Sequence, residues 1–545
     1  MINLNIIDLV VLVLYIIFII WWGLKNSKSS DSDAYFLAGR DLKWPMVGLS
    51  LFAASISSST LMGNSGEGFI NGIAVFNYNW ISILVMVFFA IFFLPFYIKS
   101  GIFTMPEFLE RRFDVRSRTY FSFITIVGNI FLDASATLYA GALISNMIFR
   151  DGDMMLIIIG MAVVAGSYTI IGGLSSVINT EVIQAFILII GSTLLAFFAM
   201  DSIGGWDAFY TQFQDGVWLK LTRSMDDPTV PWLGMWVGIP ILGFYFWGNN
   251  QVMVQRVLSA KSIDHGRKGV LLVGFLYLFT LFIFIFPGVI ARGINLFGVE
   301  NLPHDMISGS ELKSKYGINT DEVYPRLINK VLPVGLIGII LSAMISALTS
   351  ALSATLNSVS TLFTMDFYSK FDKNASSEKK VKVGKITAVV TLIIAILWAP
   401  YIGKFDSLIA YYQEIMSYLA PPVVATFFLG LFWRRSNAIG AFSGLMSGLF
   451  IAMIIMSSKY LFGIHIGLHF LLLAPIILVL SILVNVAVSL ATAPPSEEKV
   501  KGNTWTKALW IEETAALKNV VWYKNFRVQA LLLVLACFGM YALFF

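Results

Sequence analysis

Runs of apolar residues, cut by short polar or glycine-rich stretches, recur from one end of the chain to the other. About 20 such residues carry a helix across the hydrocarbon core of a bilayer. The runs fall at about 5–24, 46–69, 75–98, 118–148, 154–172, 178–200, 232–257, 269–291, 332–365, 383–403, 407–432, 438–457, 465–490 and 528–545. The pattern predicts an all-α membrane protein of fourteen transmembrane helices. The first run holds a carboxylate, Asp8, and has neither a positive start nor a small-residue cleavage site after it. It therefore reads as a retained helix rather than a signal peptide.

Composition sharpens this. Charged residues are 13% of the 545 and hydrophobic ones 57%, against about 25% charged in a soluble domain. Too few charges remain to coat a water-facing surface, which excludes a soluble enzyme, a disordered protein and a disulfide scaffold. Cys537 is the one cysteine, so no intramolecular disulfide forms, and the four His lack the spacing of a zinc site. A net charge of +5 would fit nucleic acid, but the positions of the charges point elsewhere. With the 25–45 loop cytoplasmic, 27 of the 37 Lys and Arg fall in inner segments. By the positive-inside rule both termini are extracytoplasmic and the chain is a multi-pass protein of the plasma or inner cell membrane. The basic balance is a loop bias that implies a lipid bilayer, not a nucleic-acid partner.

Polar stretches at membrane depth survive only where they are buried in protein or line a cavity. Three segments break the apolar pattern: Ala53-Ala-Ser-Ile-Ser-Ser-Ser-Thr60 with Gly63, Gly66 and Gly68 after it, Gly243-Phe-Tyr-Phe-Trp-Gly-Asn-Asn-Gln251, and a series of Ser and Thr along 332–365. For any single Ser the ordinary explanation is close helix packing or a bond back to the i−4 carbonyl. Two glycine-punctuated breaks separated by four intervening helices instead match inverted-repeat secondary transporters, whose unwound helices present carbonyls to a cation and a solute.

Acidic residues add candidates. Asp133 sits mid-run, whereas every Lys and Arg falls in a loop or at a helix end, so it is a functional candidate by default, the alternative being a protonated or hydroxyl-bonded structural residue. Glu181 opens the 178–200 run near the inner face, as an interfacial cap or as a cation's stop on its way to the cytoplasm. Glu67 and Glu414 are similar cases.

With these segments in view, the chain resembles the sodium/solute symporter family, in its sodium–sugar branch, essentially end to end. The residues that carry the resemblance are Tyr35-Phe-Leu-Ala-Gly-Arg40, Tyr168-Thr-Ile-Ile-Gly-Gly-Leu-Ser-Ser176, Phe246-Trp-Gly-Asn-Asn-Gln251 with Gln255-Arg256, Leu356-Asn-Ser358 with Thr364-Met-Asp366, and Phe427-Phe-Leu-Gly-Leu-Phe-Trp433. The resemblance implies a LeuT-type five-plus-five inverted-repeat core with flanking helices. On that scheme 1–45 is the first flanking helix and a cytoplasmic loop, 46–258 holds core helices one to six, and 259–458 holds core helices seven to ten. The last segment, 459–545, then adds two flanking helices joined by an amphipathic cytoplasmic loop at 491–527.

The resemblance also implies a Na⁺ site between the first and eighth core helices, with carbonyls from Ala53, Ile56 and Ala347 and a hydroxyl from Ser350. The second hydroxyl position is Ala351, a departure that weakens the site unless Ser353 or a water substitutes. Glu181 matches an acidic residue near the inner exit, which in some members helps form a second Na⁺ site. Ser353 matches that second site in part and Ala354 does not, which favours one Na⁺ per solute. The implied sugar site is altered. Trp247 and Gln413 match, whereas Thr60 and Asn79 replace an amide or imidazole and a carboxylate, Gly243 and Tyr277 replace a polar residue and a Lys, and Phe246 replaces an inner-gate tyrosine. Asp133 lies beside this cavity as a substitute acceptor.

The expected activity is Na⁺-coupled import of a small-molecule solute, a hexose-like sugar first, by alternating access. A monomer suffices for this and an oligomer is compatible with it. A sialic acid, polyol, amino acid or carboxylate is the alternative, though Asp133 disfavours an anion. A solute sensor with little flux is a rival of another class, motivated by Ala351. A membrane enzyme is not supported, because no Ser/His/Asp arrangement, phosphate loop or HExxH is present. A channel would need a continuous polar stripe, which 269–291 and the Phe-rich 85–96 do not offer. The outer loop 292–331 is long enough to cover a vestibule, and 491–527, with Trp505, Trp510 and Trp522, reads as an interfacial segment or a solvated linker.

Overall fold

The computed structural model describes residues 5–27, 31–148, 153–299, 302, 309–402, 408–464 and 467–545. Lys28, most of the 300–308 part of the outer loop and the run ends at 403, 407 and 465 lie outside them. Among the described residues the chain is helical, with one isolated bridge between Leu42 and Ala260 and no named strand. Among the described residues ten helices are long and apolar enough to cross a membrane, or eleven if Ile263–Leu278 and Leu281–Gly293, bent by 43°, form one span. Length and apolarity therefore give fewer spans than the fourteen expected. The difference lies at three places where the backbone leaves helical geometry.

The first is the 46–69 run. Helix Trp44–Ser55 starts with Pro45 in its first turn and ends at Ile56, which is extended (φ −107°, ψ 97°). Ser57 then restarts the helix as an N-cap, its side chain accepting from the Thr60 amide at 3.1 Å, and Ser58–Asn71 follows. The second is the 232–257 run. A wide π-helical turn over Tyr245–Asn249 ends at Asn250 (φ −68°, ψ 125°). The Asn250 side chain caps the Val252 amide at 2.8 Å and begins Gln251–Leu258. Both breaks restart with a short polar cap satisfying orphan amides. The third is Met154–Ser202, whose 49 residues would span about 74 Å if straight. Gly173 divides it, at φ 58° and ψ −154°, and a Cβ there would stand 2.4 Å from the Tyr35 carbonyl.

The polar helix Leu336–Leu362 packs between the outer helices and is buried almost throughout. Most of its hydroxyls do bond back one turn: Ser342 to the Gly338 carbonyl at 2.8 Å, Ser346 to Ser342 at 2.7 Å, Thr355 to Ala351 at 3.0 Å and Thr361 to Asn357 at 2.7 Å. Its start is held by Asp8 of helix Ile6–Lys25, whose carboxylate accepts from the Gly335 and Gly338 amides at 3.0 and 2.8 Å. This explains an acid in an apolar run. The 491–527 segment is not a free linker: Trp505 and Trp510 pack on Phe92 with ring centroids 5.9 and 6.3 Å away, and Glu513 pairs with Arg267 and Arg527.

Candidate functional site

A cavity of about 610 Å³ lies between the two broken helices. Thr60, Asn79, Asp133, Trp247, Tyr277 and Gln413 all line it, as does Phe246, so the six substrate candidates and the gate candidate are brought together. Its wall continues through Pro228, Thr229, Lys313, Asn319 and His469, in the loops assigned to the extracytoplasmic side. Trp247 meets Tyr277 edge to face, with centroids 5.2 Å apart, and meets Phe246 likewise at 5.2 Å. The Asn79 amide donates to the Thr280 hydroxyl at 2.8 Å, and the Thr60 hydroxyl bonds that of Ser57 at 2.9 Å.

Three of the four expected Na⁺ ligands meet in one place. The Ser350 hydroxyl lies 2.9 Å from the Ala53 carbonyl and 3.1 Å from the Ala347 carbonyl, donating to this pair. Ile56 is buried at the end of the same half-helix, in extended geometry that takes its carbonyl out of the helical series. Ala351 lines the cavity beside Ala54 and Ser55, so the position without a hydroxyl faces the solute side. All these groups are neutral, and no group of three His, Cys, Asp or Glu among the described residues is placed to hold a metal. Unwound carbonyls with a hydroxyl suit an alkali cation.

Glu181 and Ser353, expected at an exit path or a second Na⁺ site, each bond a protein partner. Glu181 lies within helix Met154–Ser202. It is fully buried, pairs with Arg256, whose Nε lies 3.1 Å away, and accepts from the Ser50 hydroxyl. The pairing stands to reason, because a buried carboxylate needs a partner charge. Ser353 donates to the Tyr168 hydroxyl at 2.9 Å, toward the Gly173 helix and away from the cavity lining.

Asp133 sits in a π-helical turn, Asn129–Ala134, an irregularity common at functional sites. The Tyr412 hydroxyl lies against its carboxylate. The Asn129 amide, oriented to satisfy its neighbours, donates to Asp133 Oδ2 at 3.1 Å and accepts from Ser358 at 3.0 Å.

Sequence reasoning named Thr60 and Glu67 singly but missed the face they share, and it missed an ion-pair network. Thr60, Asn64, Glu67 and Asn71 form one polar face of the outer half-helix and all line the cavity, with Asn71 donating to Glu67 at 2.7 Å. Their spacing of four, three and four residues was a usable signal. Away from the cavity mouth Asp366 accepts from Thr104 at 2.7 Å, Arg118 at 2.6 Å and Ser122 at 2.5 Å, and Arg118 also pairs with Glu110 at 2.5 Å. With Glu181–Arg256 and the rings of Phe88, Phe93, Phe244, Phe428 and Phe432, this seals the side opposite the cavity mouth. Outside the spans, burial raises Asp321 at the mouth above the ordinary carboxylate range, with Lys313 opposing it.

Two helices interrupted at facing points, a neutral oxygen cluster at one break and a polar cavity between them open to one side define a secondary carrier. The chain belongs to the sodium:solute symporter family, which it matches over residues 35–448. It is 33% identical to sodium/glucose cotransporter 1 of Ovis aries over 92% of this chain and 81% of that protein. It is also 33% identical to sodium/glucose cotransporter 4 of Danio rerio, over 94% of this chain and 83% of that one. Its fold is that of a Na⁺-coupled sialic acid symporter solved substrate-bound and outward-open, with a TM-score of 0.78, 24% identity, and 90% of this chain and 99% of that one covered. A nucleobase-cation-symport-1 family transporter is more distant, with a TM-score of 0.54 and 12% identity over 87% of this chain and 98% of that one. The all-α, LeuT-type architecture expected from the sequence is thus the architecture found.

Proposed function

We propose that the chain is a Na⁺-coupled symporter that imports a hexose-like sugar across the cell membrane by alternating access. The observation that carries this is the meeting of the Ser350 hydroxyl with the Ala53 and Ala347 carbonyls directly beside the cavity that holds Thr60, Asn79, Asp133, Trp247, Tyr277 and Gln413. Na⁺ seated there ties the first broken helix to the polar helix and orders the cavity wall. Solute then fills the cavity, with Trp247 as a stacking platform and Gln413, Asn79 and Thr60 as hydrogen-bonding groups. The inner seal, with Phe246 above it, opens next, and Na⁺ leaves on the side of Glu181. Each charge moved inward gains about 2.3 kcal/mol per 100 mV. The named relatives are sodium/glucose cotransporters, which supports sugar as the solute. Both termini are extracytoplasmic in this scheme, and one chain suffices.

The test is uptake of labelled glucose, galactose and mannose into proteoliposomes, with an inward Na⁺ gradient and with K⁺ in its place. Saturable, Na⁺-dependent uptake that falls in Ser350→Ala is expected. Uptake indifferent to Na⁺ would refute symport. A second reading, another small organic solute, is favoured by the altered solute-facing set at Thr60, Asn79 and Tyr277. If Na⁺ raises the melting temperature but no hexose enters, that reading replaces sugar.

A further inference from the structure

Two carboxylates, Asp133 and Glu67, line the solute cavity, and among the described residues no Lys or Arg pairs with either. The groups found against Asp133 are the Tyr412 hydroxyl and the Asn129 amide, and the group on Glu67 is the Asn71 amide. Other buried or half-buried acids here are treated differently. Glu181 is paired with Arg256, Asp366 with Arg118 and Glu414 with Lys459, while Asp8 takes two backbone amides. Lys313 is the one Lys or Arg among the lining residues, and it stands at the mouth, where it acts on Asp321.

Asp133 and Glu67 are both half-buried and face the cavity, and a cavity lined by two carboxylates is electrostatically complementary to a cation. The Na⁺ cluster does not supply it, because its ligands are Ala53, Ala347 and Ser350 rather than either acid. The same cavity is lined by the aromatic residues Trp247, Tyr277 and Tyr245, whose ring faces attract a cationic group, and by the hydroxyls and amides of Thr60, Asn64, Asn79 and Gln413. From this we infer that the solute carries a protonated amine on a polyhydroxylated body: an amino sugar or amino polyol. Asp133 is the counter-ion of the bound amine. Glu67, two helical turns outward of Thr60 on the same face, draws the cation down the vestibule. The inference rests on the symporter reading and names the solute class within it.

The experiment is Na⁺-driven uptake in proteoliposomes of D-glucosamine, D-glucose and N-acetyl-D-glucosamine, whose amide is neutral, at mildly acidic pH so that the amine is charged. Melting of the detergent-solubilised protein with each sugar, with and without Na⁺, is recorded alongside. Glucosamine is expected to be taken up in preference to both neutral sugars and to raise the melting temperature only with Na⁺ present. Asp133→Asn should reduce the glucosamine-to-glucose ratio by at least about tenfold, and Glu67→Gln should reduce it less, through the apparent affinity. If Asp133→Asn does not fold, the wild-type comparison of glucosamine with its N-acetyl derivative still decides. Glucose entering as fast as glucosamine overturns the inference, and so does an unchanged ratio in Asp133→Asn. Neutral-hexose uptake that rises with acidity and loses that dependence in Asp133→Asn also overturns it, showing that a proton supplies the charge. In each of those cases Na⁺ still stabilises the protein and the symporter reading stands. Only the absence of any Na⁺ response removes both.

Discussion

Ser350 and Ala351 are neighbours in sequence with opposite consequences. Ser350 reaches the carbonyls of Ala53 and Ala347, whereas Ala351 offers a methyl group to the cavity at the same level. A hydrogen bond or dipole contact to a charged group contributes about 1.5–3 kcal/mol. Ala351→Ser should therefore tighten the Na⁺ dependence of uptake about tenfold or more, read as a lower half-saturating Na⁺ concentration. An unchanged value would place residue 351 outside the ion's reach. Ser350→Ala should raise that concentration by a comparable factor, and the double substitution Ser350→Ala, Ala351→Ser should recover part of the loss. The hydroxyl count of this region was legible in the sequence, but the use of each hydroxyl was not. Ser342, Ser346, Thr355 and Thr361 are bonded back one turn, while Ser353 is taken up by Tyr168, 185 residues away. The same is true of Glu181, whose partner Arg256 lies 75 residues on. Single-sequence pattern carries no information about which distant side chain faces which.

At the scale of elements, the interruptions were the legible part. Ser, Gly and Asn in place of apolar residues mark where helices Trp44–Ser55 and Ile239–Phe244 give way, and the polar residue after each gap, Ser57 or Asn250, caps the next piece. What the letters did not show is how closely the pieces approach one another. A Cβ on Gly288, in helix Phe286–Gly293, would come within 1.9 Å of the Ser65 carbonyl on the outer half-helix. Backbone rather than a flexible side chain would have to move. Gly288→Ala should thus destabilise the protein by about 1–3 kcal/mol and displace the face bearing Asn64 and Glu67, lowering both the melting temperature and solute affinity. Gly128→Ala, where a Cβ meets nothing within 4 Å, is the matched control and should be silent. A melting temperature equal in the two variants would mean that the half-helix has slack at this contact.

Across the whole molecule, the cavity mouth and the inner seal are two ends of one equilibrium. The contacts of Asp366 with Arg118, Thr104 and Ser122, together with the Phe88–Phe428 stack, lie at the end away from the cavity mouth, which is the inner end in the proposed orientation. Such contacts stabilise the outward-facing state selectively, so weakening them shifts population toward the inward-facing one. Asp366→Asn keeps the shape of the side chain and removes its charge, leaving Arg118 its ion pair with Glu110. The chain is suited to measuring the effect, because its one cysteine, Cys537, is buried. A cysteine placed at Val254, which is fully buried in the inner half of the second broken helix, should react with a maleimide only in the minor inward-facing population. Its labelling rate then tracks that population, and a loss of about 1.4 kcal/mol from the seal speeds labelling about tenfold. Na⁺ should reverse the gain, since in the proposed mechanism the ion ties Ser350 to the first broken helix and favours the outward-facing state. If Asp366→Asn leaves the labelling rate of Val254→Cys unchanged, the Asp366 network holds loops together without gating. The Phe cluster with Glu181–Arg256 would then be the inner gate.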